Sequence, residues 1–197
     1  MKEVRVRVTL TDDMLGTQSA NPEIHREFIA SKAPDARSIE EEVAAVGAAA
    51  VEEKSCTVFP RTDAGEPFVY DYQVRGFFKD TCSALRRVDG TLSSKVKAYK
   101  KVVDGNVFVE PRHIVVKLAG PVGDCQRPLR AQTAQGERVA LAHSETVPEG
   151  SSLEFTVKLL NDKDEDLLAE WLDFGQLRGI GQWRNSGKGR FTWERVD

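Results

Sequence analysis

The sequence predicts an α+β fold with an antiparallel sheet, and three observations point that way. Segments with apolar residues at every second position open the chain and recur near residue 153. Between them lie apolar stripes at helical spacing. Successive strand segments are joined by tight turns, not by the long crossovers that parallel strands require. The chain has 197 residues, 40% apolar and 30% charged. It is therefore expected to fold as a single domain over residues 1–197, with a helical insertion at about 16–54.

The first strand is read from Val4, Val6, Val8 and Leu10, which alternate with Arg5, Arg7 and Thr9. Asp12-Asp13 and Gly16 end it, and a polar connection to residue 37 follows, with one helical turn through Ile24, His25, Phe28 and Ile29. Ser38 and Glu41 form a capping box ahead of Ile39, Val43, Val46 and Ala50, which predicts a helix over about 39–53. Cys56–Phe59 and Phe68–Tyr70 read as the arms of a hairpin around Asp63-Ala64-Gly65-Glu66. Val74, Phe77, Phe78, Cys82 and Leu85 then share one helical face, which leaves Arg75, Lys79 and Arg86 elsewhere on the helix. Asp104-Gly105-Asn106 is expected to turn the chain into strands at Val107–Val109 and Ile114–Leu118. Arg127–Thr133 and Arg138–Ala142 read as a second hairpin, with Arg127 and Arg130 toward its base. Leu153, Phe155, Val157 and Leu159 form another alternating strand. Asn161 or Asp162 caps a last helix that carries Leu167, Leu168, Trp171 and Leu172.

That helix leads into Gly179-Ile180-Gly181-Gln182-Trp183-Arg184-Asn185-Ser186-Gly187-Lys188-Gly189-Arg190, two Gly-x-Gly pairs around a basic segment. Glycine tolerates positive φ and close backbone approach, so such a loop suits a phosphate chain met by backbone N–H groups and a cation. Neither familiar nucleotide motif fits. Gly187-Lys188 is followed by Gly189 and not by Ser or Thr, and Arg184 stands where a dinucleotide fingerprint needs its third glycine.

Three landmarks resemble, in order, those of the repeat-associated RAMP superfamily of CRISPR-associated RNA-binding proteins. Val74-Arg75-Gly76-Phe77-Phe78-Lys79 stands in the place of its Leu-Lys-Gly-x-Leu-Arg helix, although Tyr70-Asp71-Tyr72-Gln73 replaces the usual Pro-Gly-Ser-Ser before it. Glu145-Thr146-Val147-Pro148-Glu149-Gly150 resembles its Glu-x-Val-Pro-x-Gly entry to a core strand. The double glycine loop resembles its C-terminal Gly-apolar-Gly, Gly-x-Gly pattern. Together these cover roughly residues 55–193, in an order most similar to the backbone subunits of multi-subunit effector complexes. A stand-alone phage or prophage member of the superfamily is the further reading. The resemblance implies a ferredoxin-like, RNA-recognition-type antiparallel sheet with hairpin insertions. It also implies single-stranded RNA as partner, bound by Arg75, Lys79, Arg86, Arg127, Arg130, Gly179, Gly181, Trp183, Arg184, Asn185, Gly187, Lys188, Gly189 and Arg190 through phosphate contacts and base stacking.

For catalysis, His25 could serve as general base for attack by an RNA 2′-hydroxyl in a metal-independent endoribonuclease, and Asp12, Asp13 or Asp35 could stand in for the aspartate that RNA-cutting subunits place after the first strand. Three scattered cysteines, Cys56, Cys82 and Cys125, with no Cys-x-x-Cys or histidine partner support neither a disulfide framework nor a metal site, and no cofactor is expected. No apolar run reaches the ~20 residues of a membrane span and the N-terminus lacks a signal-peptide core, so a cytoplasmic protein with no membrane partner is expected. A net charge of −3 argues against indiscriminate nucleic-acid binding but not against a local groove. Arg86, Arg87, Lys95, Lys97, Lys100 and Lys101 form a second basic run, which a solvated face would equally explain. The alternative to RNA binding is a protein-interaction or nucleotide-sequestering module on the same fold, with a protein partner or self-assembly.

Overall fold

The computed structural model describes residues 1–20, 56–133 and 136–196. Helix 39–53, His25 and Asp35 lie outside the described residues. The described elements are β1 (Lys2–Leu10), β2 (Met14–Leu15), β3 (Gln18–Ser19), β4 (Thr57–Val58), β5 (Phe68–Tyr70), α1 (Asp71–Leu85), α2 (Tyr99–Asn106), β6 (Val107–Glu110), β7 (His113–Lys117), β8 (Gly123–Thr133), β9 (Gly136–Val147), β10 (Ser152–Leu159), α3 (Glu165–Asp173) and β11 (Phe191–Arg195).

The main sheet runs β11-β1-β10-β7-β5, with β6 also on β10, and all its pairs are antiparallel. Because β6 and β7 flank Pro111 and both lie along β10, they act as one bent strand. The chain then reads β1, α1, β6/β7, β10, α3, β11, and the strands sit in the order fourth, first, third, second. This is the ferredoxin-like arrangement. A second sheet, β2-β9-β4-β3 with β8 on β9, carries the long hairpin β8–β9, in register from Gly123↔Thr146 to Thr133↔Gly136.

Period-2 alternation decides which face of the main sheet is covered. Val4, Val6, Val8 and Leu10 of β1 and Leu153, Phe155, Val157 and Leu159 of β10 are buried, together with the stripe Val74, Phe77, Phe78 and Cys82 of α1 and Leu167, Leu168, Trp171 and Leu172 of α3. The helices lock together through the stacked rings of Phe78 and Trp171 at 5.6 Å, and onto β11 through Phe77 and Phe191 at 5.3 Å. Burial pushes the thiols of Cys82 and Cys56 up, so neither is poised as a nucleophile.

The opposite face is a charge ladder. Glu154 accepts from Lys117 Nζ at 2.7 Å and from Arg7 Nε at 2.9 Å, with Arg5 at 3.4 Å, while Arg7 also meets Glu194 at 2.7 Å and Lys158 meets Glu110 at 2.7 Å. Lys117 first, then Arg7, hold the Glu154 carboxyl down from 4.5 to about 2. Between those pH values the folded state binds fewer protons than the unfolded chain, so the ladder's stabilisation is complete above about pH 4.5 and is lost as the pH falls through about 2. The cations are solvated, which reduces the contribution to about 1 kcal/mol. Glu154→Gln should therefore lower the melting temperature at pH 7, with the gap to wild type closing as the pH is lowered toward 2. A gap of constant size across that range would contradict the ladder's role.

Two sequence expectations change. Cys56–Phe59 and Phe68–Tyr70 leave a tight turn, with a bridge from Arg61 to Pro67, but their strands enter different sheets: β4 pairs with β3 and with Ser144 of β9, while β5 pairs with β7. Pro60 and Pro67 bracket the turn and have no N–H to extend a mutual ladder. Asp104-Gly105-Asn106 forms the last turn of α2 and not a loop. Buried Val103 and the ion pair of Asp104 with Lys79 on α1 hold that helix despite its turn-like composition.

Candidate nucleic-acid interface

After α3 the chain makes a short 3-10 turn and enters the glycine loop, whose shape follows from how closely its two halves approach. Ile180 N–H donates to Gly189 O at 3.0 Å, and Gly189 N–H donates to Asp13 O at 2.8 Å. A Cβ on Gly179 would stand 2.0 Å from the Gly189 carbonyl carbon, and one on Gly189, at φ +73°, would stand 1.9 Å from Ile180 O. Gly181, at φ +86°, packs on Leu15 O. The glycines thus let the loop close on itself and on the β1–β2 connection. The N–H groups of Ile180, Ser186, Gly187 and Gly189 all donate within the protein.

The loop's side chains are held by carboxylates far away in sequence. Asp80 of α1 accepts from Arg178 Nε at 2.5 Å and Arg184 Nη1 at 2.9 Å, which ties the start of the loop to the middle of α1. Lys188 meets Asp13 at 3.2 Å and Arg190 meets Asp12 at 2.8 Å. Asp12 and Asp13 therefore position the loop's cations. On α1, Arg75 pairs with Asp71 at 3.3 Å and Lys79 with Asp104. Arg86 instead lies over the Tyr99 ring at 5.3 Å.

Arg127 is different. Its guanidinium lies 4.5 Å over the Trp183 ring, and so joins the hairpin strand β8 to the glycine loop. It is 8% exposed, Nε and Nη1 have no hydrogen-bond partner, and no carboxylate pairs with it among the described residues. Guanidinium keeps its charge at any physiological pH, so this is a buried cation with unmet donors. Trp183 sits at φ +54°, a left-handed conformation that is uncommon for a bulky residue, and keeps 40% of its surface exposed. Asn185 and Ser186 belong to the 3-10 turn Arg184–Ser186 that follows, where Ser186 Oγ donates to Trp183 O at 2.8 Å. Arg130 lies on β8 opposite Val139, three residues farther out along the hairpin than Arg127.

Sequence reasoning did not single out the cleft of ≈ 300 Å³ at the start of α1, lined by Thr17, Gln18, Pro60, Tyr70, Tyr72 and Arg112. Tyr70 and Tyr72 stack at 5.1 Å, Arg112 lies 5.9 Å over Tyr70 and bonds Asp71, and burial pushes the Tyr72 hydroxyl up, so it stays protonated. The signal was present in Tyr70-Asp71-Tyr72-Gln73. There Gln73 Oε1 caps the helix by accepting from Tyr70 N–H at 2.8 Å, and Asp71 gathers both Arg75 and Arg112. Among the described residues no cluster of three His, Cys, Asp or Glu side chains gathers as a metal site, and no helix is long and apolar enough to cross a membrane.

No protein-family model matches the sequence, and no curated protein does. The fold is similar to that of a chain in the cryo-EM structure of the Type III-B Cmr-beta complex bound to cognate target RNA, with a TM-score of 0.53 at 10% identity over 100% of this chain. This chain spans 60% of the length of that one, and the likeness is one of fold.

Proposed function

We propose that this protein binds single-stranded RNA where the glycine loop, the base of the β8–β9 hairpin and α1 meet, in a CRISPR-type setting. The observation that carries the reading is Arg127: a permanently charged guanidinium, 8% exposed, with unmet donors, stacked at 4.5 Å on a half-exposed indole. A phosphate supplies the acceptors such a group lacks, and the open face of Trp183 offers a stacking surface for a base. Arg184, Lys188 and Arg190 add charge around it, moderated by Asp80, Asp13 and Asp12. Arg75 and Lys79 line the adjoining helix, and the fold's similarity to a subunit of a target-RNA-bound complex supports the same ligand class.

The same ion pairs favour a second reading, an interaction module on this fold, because they neutralise much of the loop's charge. Fluorescence anisotropy with a labelled single-stranded RNA separates the two. Trp183→Ala should weaken binding by about 5- to 150-fold, the range for loss of one stacked base, and Arg127→Gln should weaken it comparably, both with near-wild-type melting. Unchanged affinity in both folded variants would move the weight to the interaction module.

A further inference from the structure

The second basic run of the sequence takes no part in the loop. Residues 86–101 carry six cations and one carboxylate, a net +5, which leaves −8 for the rest of a chain whose total is −3. Arg86, Arg87, Lys95, Lys97, Lys100 and Lys101 are all exposed, and none lies within ion-pair distance of a carboxylate among the described residues. The contrast with the rest of the molecule is sharp. Outside this stretch, Lys2, Arg5, Arg7, Arg61, Arg75, Lys79, Arg112, Lys117, Lys158, Arg178, Arg184, Lys188, Arg190 and Arg195 are all ion-paired.

The lobe is also fixed in shape. Glu170 of α3 accepts from Leu92 N–H at 2.6 Å, Ser93 N–H at 2.9 Å and Ser93 Oγ at 2.6 Å, and Trp171 Nε1 donates to the same Ser93 Oγ at 3.0 Å. Thr91 Oγ1 donates to Leu85 O at 2.9 Å, and Arg86 rests on the Tyr99 ring. Glu170 is thus turned onto the backbone N–H groups of Leu92 and Ser93, and Asp104 is taken by Lys79, which leaves Asp89 as the exposed carboxylate of the stretch. A backbone already fixed spares the cost of ordering a loop when the stretch meets a polyanion.

We infer that residues 86–101 form a second RNA contact, a sequence-independent surface for the sugar–phosphate backbone of the strand that occupies the glycine loop; the inference rests on the RNA reading above. Asp80, which anchors Arg178 and Arg184, lies six residues before Arg86, the residue that caps the C-terminal end of α1, roughly 9 Å along the helix axis. A strand that leaves the loop along the α1 axis runs toward the lobe. Nucleic acid is favoured over an anionic bilayer because α2 turns its apolar side inward, with Val103 fully buried, and the lobe's two exposed apolar residues, Val88 and Leu92, lie outside that helix, so no amphipathic helical face is offered for insertion.

The test is a salt titration of RNA affinity by anisotropy for wild type, the quadruple variant Lys95→Gln/Lys97→Gln/Lys100→Gln/Lys101→Gln, and the matching quadruple Lys→Arg variant, each with its melting curve. Each single-strand phosphate contact contributes roughly −0.7 to the slope of log affinity against log salt, so loss of four makes the slope shallower by about 3 and weakens binding at about 0.1 M salt by on the order of 10²-fold. The Lys→Arg variant keeps wild-type behaviour. If the glutamine variant melts early, Lys100→Glu/Lys101→Glu takes its place and must weaken binding. A folded glutamine variant with wild-type slope overturns the lobe's role while leaving the loop reading intact. Wild-type affinity in Trp183→Ala and Arg127→Gln, with loss in the lobe variant, would keep the lobe and remove the loop. Failure of the wild type to bind RNA, with binding to phosphatidylserine vesicles, would overturn both.

Discussion

Trp171→Ala is expected to destabilise the protein by ~3–5 kcal/mol, a drop in melting temperature of roughly 6–20 °C for a chain of this size. The ring is 1% exposed and stacks on Phe78 of α1 at 5.6 Å, so its loss opens a cavity between the two helices that cover the sheet. Its Nε1–H donates to Ser93 Oγ at 3.0 Å, which couples the helical layer to the basic lobe. Truncation thus leaves a buried hydroxyl short of one partner as well as removing apolar contact. Thermal melts of the variant test this, and a shift below about 2 °C would show α3 to be peripheral to the core.

Gly189→Ala should be at least as damaging, by more than ~4 kcal/mol, while Gly187→Ala should cost only about 1 kcal/mol. Both glycines have positive φ, +73° and +87°, so backbone conformation alone does not separate them. What separates them is what a methyl group would meet. At Gly189 it meets Ile180 O at 1.9 Å, a backbone atom of the residue whose N–H donates to Gly189 O; at Gly187 it meets the Arg190 guanidinium at 3.1 Å, the movable end of a long side chain. Gly179→Ala, with Gly189 carbon at 2.0 Å, belongs with the severe case. Paired melting curves decide it, and equal losses at positions 187 and 189 would contradict the close-approach account.

The features legible in the sequence were those written in local periodicity. The Val4-to-Leu10 and Leu153-to-Leu159 alternations, the Val74–Cys82 stripe and the Leu168–Trp171–Leu172 stripe all bury the faces their spacing required. The β8–β9 hairpin was visible too, although its ladder runs longer than its apolar pattern indicated. What periodicity could not carry was partnership across the chain. Arg190 and Asp12 lie 178 residues apart, Arg178 and Asp80 98, and nothing local says that the loop's cations would each find a carboxylate. For the same reason the glycines read as open to a ligand, when several of them serve a backbone crossing that exists only once β1 and β11 are paired. Arg127 was legible as a cation at a hairpin base but not as a buried one, because its burial depends on the meeting of β8 with Trp183.

An RNA-binding surface is proposed here on a chain whose net charge is −3. Its most direct test is equilibrium binding of the full chain to a labelled single-stranded RNA at low salt, with duplex RNA of the same length as competitor. Saturable binding that favours the single strand and weakens steeply as salt is raised is expected. Absence of binding at low salt by protein shown to be folded would contradict it.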